Sequence, residues 1–178
     1  MSYDGVFIDR STVRFERLLP GPIERVWDYL TKSEFLETWL ASAKADLRPG
    51  GEITLAFTFS ALDECSDSVC RGVIQECVPP HLFAYTWREF DAAGREKPAS
   101  LVRFELSVEG GDVRLILNHR KLAPAEIVGF GAGWDSHLNY LAARLSGRPV
   151  KPFAEIFAAA MKHYGPLAKA AAGVSQNV

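Results

Sequence analysis

The sequence has little of what would place it in several broad classes of protein. Among its 178 residues no apolar run approaches the roughly 18–20 residues that cross a bilayer, so no membrane partner is predicted. The 20 basic and 22 acidic residues give a net charge of −2, which provides no electrostatic reason to expect nucleic acid as a partner. Residues 1–9 contain acids and lack an apolar signal core, which favours a cytoplasmic protein without an export signal.

Cysteines and histidines are few, and their spacing does not predict a metal centre. Cys65, Cys70 and Cys77 lack C-x-x-C spacing and a histidine placed beside them, so reduced thiols are favoured over a zinc site. The four histidines show no H-E-x-x-H spacing of the kind that binds a catalytic metal. We therefore predict no metal and no cofactor.

Signals of acyl-transfer or nucleotide chemistry are also missing. There is no G-x-S-x-G elbow of the kind that presents a nucleophilic serine. Gly129, Gly131 and Gly133 alternate, but they lie within a predicted helix rather than after a strand, unlike a dinucleotide-binding loop. Each glycine costs a helix about 1 kcal/mol relative to alanine, so we expect the backbone there to approach a strand or a bound molecule closely.

The strongest positive pattern is a long amphipathic helix over residues 124–146. Its apolar residues recur at every third or fourth position and form one stripe: Ile127, Phe130, Trp134, Leu138, Leu141 and Leu145. Pro124 suits the first turn of a helix, and Gly147 followed by a proline predicts its end. Asp135, Asn139 and Arg144 are predicted to lie away from the stripe.

Alternating apolar residues upstream of this helix predict a sheet. A first strand over residues 13–17 precedes two short helices, which begin near Pro22 and near Thr31 or Ser33. About six further strands follow, and their short connections force mainly antiparallel pairing. The run Glu109-Gly110-Gly111-Asp112 predicts a tight hairpin. The sequence therefore predicts an α+β domain whose curved sheet wraps round the long helix.

A second apolar stripe follows the long helix and predicts one extra C-terminal helix over residues 152–164. Its members keep helical spacing: Phe153, Ile156, Phe157, Ala160, Met161 and Tyr164. We predict a domain over residues 1–150 and a C-terminal helical extension over residues 151–178, with a fraying tail from residue 168. The stripe must be covered, either by the chain's own surface, where it would cap a cavity, or by a second copy. Monomer and homodimer therefore both stay open.

Short motifs occur in a fixed order between residues 13 and 147. They are Pro22-x-x-x-Val26-Trp27, Trp39, Asp46-Leu47-Arg48-Pro49-Gly50-Gly51, Gly72-x-x-x-Glu76-Cys77-Val78-Pro79-Pro80, the segment from Leu82 to Thr86-Trp87, and Gly133-Trp134. In this series the chain resembles the activator-of-Hsp90-ATPase-homologue-like branch of the SRPBCC, or START-like, superfamily. The resemblance implies the helix-grip fold, in which a seven-stranded antiparallel sheet surrounds a C-terminal helix with an apolar cavity between them. Leu40 departs from the bulky aromatic that the family usually has there, which bears on the cavity lining.

The residues predicted to line this cavity are mostly aromatic. They are Trp39, Phe57, Phe59, Glu76, Tyr85, Trp87, Phe104, Phe130, Trp134 and His137. His137 is either a flank histidine with a solvated nitrogen or a polar group at the cavity rim that titrates near neutral pH. No residue is predicted to be catalytic.

The orientation of Glu76 depends on which face of its strand is buried. If Ile74 and Val78 point inward, alternation takes Glu76 into the cavity, where its pKa would be raised. If Val73 and Cys77 point inward, Glu76 is an ordinary surface acid. Both faces carry apolar residues, so the pattern does not choose between them.

The first functional hypothesis is non-enzymatic binding of a hydrophobic or aromatic small molecule in the internal cavity. The alternative is an enzyme of the same fold, a cyclase, dehydratase or hydrolase on an aromatic substrate, with Glu76, His137 or Tyr85 as acid–base groups. A weaker alternative, implied by the family name, is a module that activates a chaperone ATPase. The chaperone activator has a separate N-terminal domain that 178 residues would not hold.

Overall fold

The computed structural model describes residues 5–57, 68–90 and 94–174, with side chains described to residue 168. Eight strands occur in these parts: β1 Gly5–Asp9, β2 Thr12–Pro20, β3 Ser42–Ala45, β4 Glu52–Phe57, β5 Ser68–Val78, β6 Leu82–Trp87, β7 Ser100–Glu109 and β8 Asp112–Arg120. The helices there are α1 Ile23–Thr31, α2 Ser33–Leu36, α3 Ile127–Ser146 and α4 Phe153–Val174.

The strands form one antiparallel sheet in the order β1-β2-β8-β7-β6-β5-β4-β3. The predicted α+β class and antiparallel sheet are confirmed, but the predicted number of seven strands is wrong. The additional strand is β1, which pairs with β2 at the edge of the sheet. Sequence pattern does not mark β1, because Val6 and Ile8 are exposed and Phe7 alone packs against the core.

The β7–β8 hairpin shows how local chemistry sets the register of the sheet. Glu109 pairs with Asp112, so Gly110 and Gly111 form a two-residue turn, as the sequence predicts. Gly110 has φ +64°, a left-handed conformation that glycine adopts without steric cost. This register places Val113, Leu115 and Leu117 on the buried face of β8.

Helix α3 buries its predicted stripe against the inner face of the sheet. Trp134 and Leu138 lie in the main hydrophobic core, and Gly147 ends the helix in a left-handed conformation at φ 66°. The helix begins at Ile127 rather than at Pro124, because residues 124–126 form a turn.

Asp135 corrects the expectation that it lies away from the buried side of α3. It is 1% exposed, and its Oδ1 accepts a hydrogen bond of 2.7 Å from Arg17 Nη2 on β2. The Arg17 side chain is itself only 11% exposed. This buried ion pair ties α3 to the sheet, because separating the two groups would leave a desolvated charge.

Helix α4 packs on its own chain, and it is longer than predicted. It runs to Val174, through Pro166 and beyond the predicted end at Tyr164. Ile156, Ala160 and Tyr164 form its buried face. The Tyr164 hydroxyl accepts a hydrogen bond of 3.2 Å from the Gly5 amide, so α4 is joined to the edge strand β1.

Candidate functional site

A cavity of about 480 Å³ lies between α3, α4 and the ends of β4 and β6. Its lining is mostly apolar: Leu40, Phe57, Ser68, Trp87, Glu89, Ala125, Glu126, Val128, Gly129, Phe130, Gly133, Trp134, His137, Phe153, Phe157 and Met161. One wall therefore comes from the sheet and α3, and the opposite wall comes from the C-terminal extension.

Two of the three glycines in α3 leave open space on that side of the cavity. A Cβ atom built on Gly129 or Gly133 would meet no heavy atom within 4 Å, and both residues line the cavity. Gly131 is different, because a Cβ there would lie 3.2 Å from the ring of Phe7. The expected close approach of the backbone therefore holds for Gly131, whereas Gly129 and Gly133 leave space.

The α4 side of the cavity is a stripe of three large side chains spaced four residues apart. Phe153, Phe157 and Met161 line the cavity, and the first two rings stack with centroids 6.0 Å apart. This stripe lies beside the buried face formed by Ile156, Ala160 and Tyr164. Helix α4 thus uses one face to pack on the rest of the chain and the next to line the cavity.

Aromatic rings form the wall on the sheet side. Trp87 is at the centre, with ring centroids 5.6 Å from Phe57, 6.0 Å from Phe130 and 5.8 Å from Trp134. The contacts with Phe130 and Trp134 are edge-to-face, a geometry that the electrostatics of aromatic rings favour. The wall is therefore held in shape by its own ring contacts.

A buried chain of hydrogen bonds holds this wall from behind. Trp134 Nε1 donates to His119 Nδ1 at 2.9 Å, so the neutral ring carries its proton on Nε2. That nitrogen lies 2.7 Å from Ser100 Oγ, which in turn donates to the Trp87 carbonyl at 3.4 Å. Burial lowers the pKa of His119 to about 3. No sequence motif singles out His119, although alternation along β8 puts it on the same face as Leu117.

His137 is the histidine that lines the cavity itself. Its Nδ1 lies 2.8 Å from the Trp39 carbonyl oxygen, and its ring lies between Phe57 and Phe153 at centroid distances of 6.0 Å and 4.8 Å. Burial lowers the pKa of His137 to about 4, while the Trp39 carbonyl acts in the opposite direction. The expectation that His137 titrates near neutral pH is therefore wrong. The ring is neutral at physiological pH.

Charged groups lie where the cavity meets a second, smaller one of about 260 Å³. Lys97 Nζ lies 2.7 Å from Glu126 Oε1 and 3.5 Å from Glu89 Oε2. Trp87 Nε1 donates to Glu89 Oε1 at 2.9 Å. The hydrogen bond to Glu126 raises the pKa of Lys97, so this group keeps its charge. Lys97 is thus shared by both carboxylates at the border between the two cavities.

The ten predicted lining residues fall into several places. Five of them line the cavity: Phe57, Trp87, Phe130, Trp134 and His137. Trp39, Tyr85 and Phe104 are buried in the core instead, and Trp39 contributes only its carbonyl to the site. Burial raises the pKa of Tyr85 well above its ordinary value. Phe59 lies outside the described residues, as does Cys65.

Glu76 does not line the cavity as predicted, because β5 carries a bulge. The register of β5 against β6 shifts between Ile74 and Glu76, so alternation does not run through this strand. Ile74 is fully buried, whereas Glu76 is exposed and its Oε1 lies 3.4 Å from Arg103 Nε. Cys77 packs partly against the core. Neither of the two expected orientations of the whole strand therefore applies.

Three further findings concern the described residues alone. No three His, Cys, Asp or Glu side chains come together there as a possible metal site. None of the helices described is both long enough and apolar enough to cross a membrane. Burial raises the pKa of the Cys70 thiol to about 12, so this side chain behaves as a small apolar group.

A family model described as "Activator of Hsp90 ATPase homolog 1-like protein" matches residues 20–146, more than two thirds of the chain. The sequence-based resemblance to this family is therefore confirmed. The match begins at the last residue of β2 and ends at the last residue of α3. Residues of α4 that line the cavity lie outside it. A comparison with curated proteins gave no match.

Solved structures share the fold over most of the chain. The solution structure of the protein encoded by gene BPP1335 from Bordetella parapertussis is 37% identical, covers 90% of this chain and 88% of its own, and has a TM-score of 0.72. Crystalline CalU16 from Micromonospora echinospora is 25% identical, with 88% of each chain covered and a TM-score of 0.69. DynU16, described as a protein in the dynemicin biosynthetic locus, is 18% identical, covers 78% of this chain and 49% of its own, and has a TM-score of 0.66.

Proposed function

We propose that this chain, which belongs to the activator of Hsp90 ATPase homolog 1-like family, binds one hydrophobic or aromatic small molecule in the cavity between α3, α4 and the sheet. The observation that carries the proposal is the pair of glycines at positions 129 and 133. Both leave open space beside α3, and Gly133 does so in the interior of the helix, where alanine would favour folding by about 1 kcal/mol. A helix that needed only to pack against α4 would gain from a side chain at position 133.

The size and chemistry of the cavity support a ligand of two or three fused or linked rings. A volume of about 480 Å³ falls within the roughly 300–1,000 Å³ typical of small-molecule sites. The aromatic wall around Trp87 and the stripe of Phe153 and Phe157 offer ring faces and edges on opposite sides. Flat apolar molecules bury the most surface between such walls, and each buried Å² contributes about 25 cal/mol.

Binding is tested with an environment-sensitive apolar dye titrated into the native protein. We expect saturation near one equivalent. Gly133→Leu would place a side chain in the open space beside Gly133 and should weaken dye binding at least about tenfold. Gly133→Ala is the matched control, since it gains the same helix propensity but adds only one methyl group. Equal dye affinity in the Leu and Ala variants, with both folded, would contradict the proposed location.

An enzyme of the same fold acting on an aromatic substrate is the second candidate. His137 supports it, because an imidazole borders the same apolar cavity as the carboxylates of Glu89 and Glu126. The proposed acid–base set of Glu76, His137 and Tyr85 is weakened, since Glu76 is exposed and Tyr85 lies in the core. The two candidates are separated by adding an aromatic compound to the protein and measuring the mass of the compound that is recovered from it. An unchanged mass favours binding, and a changed mass favours catalysis.

A further inference from the structure

The direction of the hydrogen bond at His137 fixes which ring nitrogen carries the proton. Nδ1 lies 2.8 Å from the carbonyl oxygen of Trp39, and a carbonyl oxygen can only accept a hydrogen bond. Nδ1 must therefore be the donor. In a neutral imidazole the other nitrogen, Nε2, then has a lone pair and no hydrogen.

The Nε2 atom of His137 is available to a molecule in the cavity. Within the described parts of the chain it has no hydrogen-bond partner, and the other contacts of the residue are those of its ring with Phe57 and Phe153. It is also not one of the fully buried side-chain atoms that lack a partner, so it keeps accessible surface. His137 is one of the residues that line the cavity, as are its two ring neighbours Phe57 and Phe153.

We propose that the occupant of the cavity carries a hydroxyl or N–H group that donates a hydrogen bond to His137 Nε2. The inference deepens the binding function proposed above and rests on it. It selects neutral aromatic molecules with a phenol- or indole-type donor over plain hydrocarbons and ethers. It also disfavours a carboxylate at this position, since two acceptors would meet there.

Two ligands of the same shape test the donor directly: 2-naphthol and 2-methoxynaphthalene. The ether is the more apolar molecule, so burial alone would favour it or leave the two equal. A hydrogen bond to Nε2 should reverse that order, with 2-naphthol bound about three- to tenfold more tightly. Both dissociation constants can be measured by quenching of tryptophan fluorescence, because Trp87 and Trp134 line the cavity.

Variants of His137 separate the donor effect from other differences between the ligands. In His137→Asn the side-chain amide can still donate to the Trp39 carbonyl, but Nε2 is removed, so the preference for naphthol should disappear. His137→Phe keeps a ring of similar size and should also abolish the preference for naphthol. It replaces the Asn variant as the test if that variant folds poorly. His81→Asn is the matched control. Its Nδ1 also contacts a carbonyl, that of Leu106 at 3.3 Å, but His81 does not line the cavity.

The outcomes distinguish the inference from the function on which it rests. If neither naphthalene binds the folded protein, the binding function itself fails. If both bind but with equal affinity, or if the preference survives both His137 variants, binding stands and the donor inference is wrong. A long-range ¹H–¹⁵N spectrum supplies a direct readout: the Nε2 resonance of His137 should shift with 2-naphthol and much less with the ether.

Discussion

Acidification should destabilise this protein through two histidines that are held neutral in the folded state. Burial lowers the pKa of His119 to about 3 and that of His137 to about 4, from an ordinary value of 6.5. Protonation therefore favours the unfolded chain, in which both rings titrate at the ordinary value. The stabilisation is fully present above the unfolded pKa and is lost as the pH falls through 6.5 toward the folded values.

The size of the effect follows from the distance between the pH and the unfolded pKa. At about pH 5 each unfolded histidine lies about 1.5 pH units below its pKa, while both folded rings are still neutral. At about 1.36 kcal/mol per unit, each histidine lowers the free energy of unfolding by about 2 kcal/mol, or about 4 kcal/mol together. The lowered pKa of Asp9 acts below this range, so it does not obscure the effect.

Urea denaturation at several values between about pH 8 and pH 5 measures the decline. His119→Asn and His137→Asn should each reduce it by about half, because each removes one of the two proton-binding sites. Ser100→Ala is the control: it removes the hydrogen-bond partner of His119 Nε2 but keeps the ring, so it should lower stability at every pH without flattening the decline. A total change below about 1 kcal/mol in the unmodified protein would refute the reasoning.

Two substitutions test the contacts that hold α3 in place. Trp134→Ala should lower the free energy of unfolding by about 3–5 kcal/mol, because the ring is buried and its loss leaves His119 Nδ1 without a donor. Trp134→Phe should cost less, and an unchanged urea midpoint in the alanine variant would contradict the helix-grip arrangement. Asp135→Asn should cost about 3 kcal/mol by leaving the Arg17 guanidinium poorly compensated. The double variant Arg17→Met/Asp135→Leu should recover part of that loss, and the absence of any recovery would mean that the charges are not coupled.

The regular elements could be predicted because burial selects one face of each. The stripe from Ile127 to Leu145 on α3 is visible in the sequence since every third or fourth residue meets the sheet. The hairpin at Gly110 and Gly111 is equally local, because a two-residue turn requires positive φ. These features need no knowledge of what lies across the fold.

Features that depend on distant partners could not be read in the same way. Arg17 and Asp135 look like surface charges in isolation, and their ion pair exists because α3 crosses β2 at that point. Glu76 points outward because of a bulge in β5, and no residue type in that strand predicts the bulge. Strand β1 is stabilised by Tyr164, which lies 159 positions away in the chain.

The residues that line the cavity also differ in whether the sequence could predict them. Its aromatic wall could be proposed from the sheet and α3, because strand alternation and helical spacing mark Phe57, Trp87 and Trp134. The roles of Phe153, Phe157 and Met161 could not be fixed, since a stripe of this kind fits a core, a cap or a second copy equally well. In the structure α4 carries two adjacent apolar faces, one packed on the rest of the chain and the other lining the cavity.

Removal of α4 tests whether this extension serves the fold and the cavity together. A chain ending at Val150 would expose the surfaces that Ile156, Ala160 and Tyr164 cover, and burial of one large side chain contributes about 1.5–3 kcal/mol. The free energy of unfolding should therefore fall by about 4 kcal/mol or more. Dye affinity should fall at least about tenfold, because Phe153 and Phe157 no longer line the cavity. A chain ending at Val174 is the control and should keep both properties.

The oligomeric state of the shortened chain completes that test. Since α4 packs on α3 and β1 of its own chain, light scattering should give the same number of chains per particle before and after truncation. A chain ending at Val150 that stayed as stable as the full protein but changed from dimer to monomer would mean that α4 pairs with a second copy in solution. The cavity wall would then belong to a neighbouring chain, and ligand affinity would depend on protein concentration, which dilution of the full-length protein would reveal.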